Sequence, residues 1–385
     1  MDLKPHNNWI ARRRSVLLLL PLVLFASVSV FLAQKNTPRW IPRKATAGTE
    51  FVGDQSCAEC HKTIAAAHSS SGMARALQTA ADAPVLKANP LMKIRMGSYS
   101  YEIKRDNNQS IYSVTDGKET ISVPILYSFG QGKAGQTYVL KHEGAFYETR
   151  VSFYREITGL DLTIGHQATN PGTLQEALGR RLSDSEAADC FSCHSTGGVG
   201  RRDVHLDKVV GGVRCEACHG PGAQHVAASR AGEPSDGPIF SGRLLRGDEI
   251  SQDFCGACHQ GSDQLSLTRM PDANTVRYQP FRIFHSKCYS DDRRIGCNSC
   301  HDPHQPLRRD AAYYDGQCLE CHASKVKSPT STVASSRAEQ RACPVATKDC
   351  TSCHMPKLRV DGAHFSFTDH YIRIVKPKNQ SQTGQ

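Results

Sequence analysis

Seven copies of one five-residue pattern, C-x-x-C-H, take up 14 of the 16 cysteines in this 385-residue chain. They are CAECH (Cys57, Cys60, His61), CFSCH (Cys190, Cys193, His194), CEACH (Cys215, Cys218, His219), CGACH (Cys255, Cys258, His259), CNSCH (Cys297, Cys300, His301), CLECH (Cys318, Cys321, His322) and CTSCH (Cys350, Cys353, His354). Two thiols three residues apart reach the two vinyl groups on one edge of a porphyrin. The histidine that follows lies under the ring, where its imidazole ligates iron. The pattern therefore implies seven covalently bound haem c groups, with the seven histidines as proximal iron ligands. Paired C-x-x-C knuckles also build zinc sites, but zinc does not require a histidine after every second cysteine. With 17 histidines in the chain, seven such placements arise by chance roughly once in 10^9 trials. Thioredoxin-like redox chemistry would need one motif, not seven.

The cysteines also bear on location, because c-type haem is attached on the exported side of a membrane. Residues 1–14 carry Lys4, Arg12, Arg13 and Arg14, and residues 15–33 hold no charge. That run is long enough to cross a bilayer as a helix. An uncleaved anchor is preferred over a cleaved signal, since VFLAQK fits a small-residue cleavage site poorly. The expectation is a protein on the periplasmic side of the bacterial inner membrane, held by its N-terminal helix, or released to the periplasm if that segment is cut.

A formal charge of +10 raises a nucleic-acid partner, but the propionates of seven haems more than cancel it, and no basic run with interleaved aromatics stands out. Nucleic-acid binding is not expected. The basic excess reads as counter-charge for propionates.

Residues 34–50, with Pro38 and Pro42, read as a tether, and 51–97 as a first haem module. From 98 to 155 the period changes to two: Tyr99, Tyr101 and Ile103 alternate with polar residues, as do Ile121, Val123 and Ile125, then Tyr147, Thr149, Val151 and Phe153. Asn107-Asn108, Asp116-Gly117 and Glu143-Gly144 fall between these runs as hairpin turns. An antiparallel β unit of four to six strands is expected. Residues 156–375 form a six-haem domain, with about 165 residues from Cys190 to His354 for six motifs. That is too little apolar side chain for an ordinary core, so porphyrins must supply the buried surface. Residues 231–250 and 323–342 read as surface loops, and 376–385 as a tail. The expected fold is mainly α and irregular, packed around haems, with an antiparallel β insertion and one N-terminal transmembrane helix.

The surroundings of the motifs resemble the multihaem cytochromes of the five-five-four type, within the superfamily that includes hydroxylamine-oxidoreductase-like proteins. The resemblance lies in FVGDQSCAECHKTI…SGMARAL, ADCFSCHSTGG with GVRCEACHGPGAQH, CNSCHDPHQPL, and DCTSCHMPK…FTDHYIRI. The β unit, with LYSFGQGKAGQTYVL, is similar to an insertion in many-haem members. This resemblance implies electron transfer, with redox proteins or quinol-linked donors as partners. Enzymatic relatives act on small nitrogen or sulfur species at a haem with an open axial position. A mark of such enzymes, lysine in place of a motif histidine, is absent here, which favours a carrier over an oxidoreductase.

A carrier haem needs a second axial ligand. The distal candidates are His225 after CHGPG, His304 in CHDPH, His166 before a Pro-Gly turn, His285 in IFHSKC, His364, and His370. The resemblance supports His370 in FTDH. It also places a distal ligand 12 residues after His61, where this chain has Met73, so the first haem is expected to be histidine–methionine and highest in potential. His68 is the alternative there, and His142 and His205 are weaker candidates. Cys288 and Cys343, outside the motifs, are a possible disulfide in an exported protein.

Overall fold

The computed structural model describes residues 42, 51–233, 245, 247, 249–262, 272–289, 295–322, 343, 346–360 and 362–375. All of these lie in the second of two units into which the chain divides, Ile41–Gln385. The segments 1–14 and 15–33, nearly all of the tether, much of both expected loops, and the tail 376–385 fall outside them.

The largest ordered body is an antiparallel sheet of ten strands. In chain order these are β1 (Leu77–Thr79), β2 (Leu91–Met96), β3 (Tyr99–Asp106), β4 (Gln109–Thr115), β5 (Thr120–Phe129), β6 (Gly135–His142), β7 (Ala145–Thr149), β8 (Val151–Tyr154), β9 (Gly159–Leu162) and β10 (Gly179–Leu182). Along the sheet the order runs β10-β7-β6-β5-β4-β3-β2; β1 pairs with the end of β5, and β8 joins β6 to β9. Two-residue loops set the register. Met96 pairs with Tyr99, Asp106 with Gln109 and His142 with Ala145. Asn107 (φ 52°) and Glu143 (φ 49°) take the left-handed conformation that such tight turns require. At the β4–β5 turn Asp116 accepts from the amides of Lys118 and Glu119 at 2.8 Å each, a local alternative to ladder bonds.

The alternation seen in sequence is the alternation of burial. Tyr99, Tyr101 and Ile103 on β3, Tyr112 and Val114 on β4, and Val123 and Ile125 on β5 point into one core with Tyr138, Leu140, Val151, Phe153 and Leu160. A register shift between Ile125 and Tyr127 bends β5, and β2 packs against β9, so the sheet curls around this core. The other face carries Val139 and Phe146, which pack with Leu182 and Ala187.

This corrects the expected fold. The protein is not mainly α and irregular with a modest insertion; it carries a ten-stranded antiparallel sheet that extends well beyond residues 98–155 on both sides. The alternation test misses strands of three or four residues such as β1, β9 and β10, and β2 (LMKIRM) buries only Met92 fully. The transmembrane helix is not supplied either. Its residues 15–33 lie outside the described part, and among the described residues no helix is long and apolar enough to cross a membrane.

After the sheet, the chain forms short helices, most of them carrying a motif and two, Ala223–Arg230 and Gln279–Phe284, without one, and a small hairpin, β13 (Lys357–Val360) with β14 (Phe365–Thr368). A shorter pair, β11 (Ser195–Thr196) with β12 (Val210–Gly211), joins the second motif to the third. Beyond residue 191, the buried apolar side chains among the described residues are Ala257, Val276, Ile283, Tyr289, Val360 and Ala363. Among the described residues, no ordinary core holds this half together.

Candidate functional site

Each motif makes about one helical turn. The third and seventh are the helices Cys215–His219 and Cys350–His354; the second and sixth end the helices Asp184–His194 and Ala311–His322. The fourth spans the junction of a π turn, Glu249–Cys255, with the helix Gly256–His259. In the first and fifth the amide of the histidine bonds the carbonyl of the first cysteine, His61 to Cys57 and His301 to Cys297, both at 2.9 Å. Positions i, i+3 and i+4 of a helical turn share a face. Both thiols and the imidazole of each motif are therefore presented together, as thioether attachment and iron ligation require.

The imidazoles are prepared for that role. His194 donates from Nδ1 to the Ala76 carbonyl (3.1 Å), His354 to that of Arg373 (3.2 Å) and His370 to that of Thr368 (3.0 Å). Such bonds fix the tautomer that leaves Nε2 open to a metal. Burial also pushes His194, His259 and His301 below the ordinary histidine range, and His370 down to about 4. All four are neutral near pH 7, the ligating form.

Three motif histidines face a second imidazole. His61 and His225 have ring centres 6.4 Å apart at 17°, His219 and His304 5.9 Å at 11°, and His301 and His370 6.2 Å at 40°. Two metal–nitrogen bonds of about 2 Å, each with a ring centre roughly 1 Å beyond its nitrogen, place two axial imidazoles about 6 Å apart. The centre spacing in each pair is what two imidazoles sharing one iron would have. Exposed apolar side chains lie close by: Ile64 (47% exposed), Phe284 (45%), Leu307 (62%) and Ile374 (82%) sit within a few residues of a motif or candidate histidine along the chain or against its backbone. A flat apolar cofactor covers such surface. A zinc knuckle needs four convergent donors, and among the described residues no group of three His, Cys, Asp or Glu converges in that way.

The remaining candidates are placed differently. His166 Nε2 contacts Glu148 Oε2 at 3.2 Å, and His364 Nε2 contacts Asp161 Oδ2 at 2.7 Å. His285 lies against Phe281, Phe284 and Tyr371. His142 is near Glu143 and His205 near Asp203. His68 donates from Nε2 to the Val213 carbonyl at 2.9 Å while Nδ1 meets Ser71 Oγ at 3.4 Å, so both its nitrogens are engaged. Met73 stands in a turn whose carbonyl accepts from Ala76 and Val213; the ring facing His61 is that of His225. Cys288 is half-buried in the turn Lys287–Tyr289, and Cys343 is exposed.

The sheet seats the second motif. Phe191, the first residue between its cysteines, is fully buried and meets Tyr127 and Phe129 edge-on at 5.3 Å, with Phe146 at 5.9 Å. Phe129 also reaches the His194 ring at 5.1 Å.

Several acidic residues that the motif reading passed over tie the motifs to one another. Asp54 Oδ1 accepts from the Cys215 amide at 3.2 Å, while Glu216 accepts from the amides of Val52, Gly53 and Gly222. Asp315 accepts from the amides of Asp349 and Cys350. Both aspartates stand three residues before a first cysteine, as D-Q-S-C and D-G-Q-C, a signal available in sequence. Asp369 holds Arg282 through two bonds of 2.8 and 2.7 Å, with Arg373 at 2.7 Å. Burial opposes its ionisation, but Arg282 and the Tyr371 amide outweigh that and keep the carboxyl below its ordinary range. This pair locks the backbone beside His370.

Residues 166–220 match the family model described as cytochrome c554 and c-prime. The segment contains the second and third motifs, and the match is to a family of c-type cytochromes. No curated protein matches the chain. Among solved structures, the outer cell wall cytochrome OcwA is similar at 16% identity and a TM-score of 0.44, over 85% of this chain and 80% of that one.

Proposed function

We propose that this chain is a c-type cytochrome carrying seven covalent haems, which passes electrons between redox partners. The observation that carries the reading is the set of three imidazole pairs, each with one motif histidine and the centre spacing of two imidazoles sharing one iron. The family match over the second and third motifs supports it. Bound haem supplies a reversible one-electron change at iron. The chain's part is to hold the porphyrin by two thioethers, to offer Nε2 of a neutral imidazole from one side, and in three sites to close the other side with His225, His304 or His370. An iron closed on both sides has no position for substrate, so these three sites suit electron transfer.

We further propose that residues 51–375 work on the exported side of a membrane, where haem c is attached, with redox proteins or quinol-linked donors as partners. Intact mass tests the haem count, since the chain must exceed its polypeptide by seven haem masses. Electron paramagnetic resonance of the oxidised protein tests the carrier reading. Low-spin six-coordinate signals are expected, and a substantial high-spin fraction would replace the carrier with an enzyme.

A further inference from the structure

We infer that the haem sites follow a spatial order different from their sequence order: the odd-numbered motifs form an interlocked spine, and the second and fourth stand beside it. The inference rests on the haem reading above.

The facing imidazoles give the spine. His225, which meets His61 of the first motif, lies six residues after His219 of the third. His304, which meets His219, lies three residues after His301 of the fifth. His370, which meets His301, lies 16 residues after His354 of the seventh, and the β13–β14 hairpin turns the chain back between them. The first, third and fifth sites thus each receive a second imidazole from the segment of the next odd motif. Backbone packing agrees independently. The helix Gly53–Ala58 packs on Cys215–His219, and the two are laced by Asp54 in one direction and Glu216 in the other.

The even motifs attach from outside this line. The helix Asp184–His194 of the second packs on Gly256–His259 of the fourth and is seated on the sheet by Phe191. The sixth joins the far end, where Ala311–His322 packs on Cys350–His354. It also touches the fifth, because Tyr314 lies 5.6 Å from the His301 ring. In sequence the neighbour of the first motif is the second. In space it is the third.

Haem-deletion variants of the full chain test this order. Intact mass first confirms that each variant has lost one haem; a parent protein without haem would refute the reading beneath, not the order. Magnetic coupling between ferric haems then reports neighbours through electron paramagnetic resonance. Loss of the second haem in C190A/C193A should leave the first-site signal unmoved, whereas loss of the third in C215A/C218A should shift it. The signals are assigned from C57A/C60A and C297A/C300A. If the third-site variant does not fold, C57A/C60A gives the test from the other side, and only the third-site signal should move. A first-site signal that shifts on loss of the second haem, or a second-site signal that moves in C57A/C60A, overturns the order.

Discussion

Asp315 Oδ1 accepts the backbone amide of Cys350 at 2.8 Å, so the residue three places before the sixth motif caps the helix of the seventh. Asp54 does the same for Cys215, joining the first motif to the third. A helix N-terminus leaves amides without intrahelical partners, and a carboxylate satisfies them while meeting the positive end of the dipole. In this fold the cap comes from another haem motif. Attachment at one site is thereby coupled to the placement of the next.

Asp315→Ala should leave the amides of Asp349 and Cys350 without their acceptor and loosen the seventh motif. A mixture of six- and seven-haem chains is expected by intact mass, with Asp315→Asn closer to the parent. The amides of Cys350 and Asp349 hold the Asp315 carboxyl below its ordinary range. Its contribution is therefore complete above the unfolded value of about 4 and is lost as pH falls through the depressed one. Unchanged haem occupancy and acid stability in Asp315→Ala would refute the cap.

Phe191→Ala should cost about 3–5 kcal/mol, the usual range for a buried phenylalanine, because three aromatic contacts with the sheet disappear together. The loss belongs to the second motif. Chemical denaturation should give a lower midpoint, and mass spectrometry reduced haem at Cys190 and Cys193 with the other sites filled.

The first site separates local from tertiary reasoning. The family resemblance placed Met73 as the second ligand of the first haem, whereas the ring nearest His61 is that of His225, whose position depends on the third motif packing against the first. Near-infrared absorption should accordingly lack the sulfur-to-iron band of a methionine-ligated haem. Met73→Leu should leave the spectrum unchanged, and His225→Ala should convert one haem to high spin. The reverse pattern would restore Met73.

How far the sequence was legible follows from the same distinction. The motifs are contiguous, so their thiols and histidines could be read directly. The strands around Tyr101 and Val123 were readable because an eight- or ten-residue strand shows its period; the run from Tyr147 to Phe153 proved to be two short strands, β7 and β8, the second buried at every position. Strands β1, β9 and β10 are too short to show one, and the sheet was underestimated for that reason. Asp54 and Asp315 were legible only as acids, since what they cap lies 161 and 35 residues away.

Alkaline conditions should attack the sheet before they attack the haem sites. Burial raises Tyr101 to about 12, and raises Tyr112 and Tyr138 as well. A raised value in the folded state means stability that is complete below the unfolded tyrosine value of about 10 and is lost as pH climbs through the folded one. Tyrosinate absorbance should therefore rise cooperatively with loss of β circular dichroism between those limits. Tyr138→Phe, which removes a buried hydroxyl without a partner, should shift that transition to higher pH. Tyrosines that titrate individually near 10 in the intact protein would contradict this.

The two halves of the chain are held by different forces, and removing haem should reveal it. The sheet has its own core, from Leu86 and Met92 to Leu160 and Leu178, at roughly 25 cal/mol for each Å² of apolar surface withdrawn from water. The half beyond residue 191 buries only scattered apolar side chains, chiefly alanine and valine, among its described residues. Its missing buried surface is that of the porphyrins, so folding there is coupled to haem attachment. In a chain with all 14 motif cysteines changed to serine, the helical circular dichroism should fall while the β signature persists. Limited proteolysis should leave a resistant fragment covering the sheet strands from Leu77 to Leu182. The same variant should be cut within the motif-bearing helices beyond residue 191 faster than the parent is. A haem-free chain that kept its helices, or one that lost the sheet together with them, would show that a single cooperative core spans both halves.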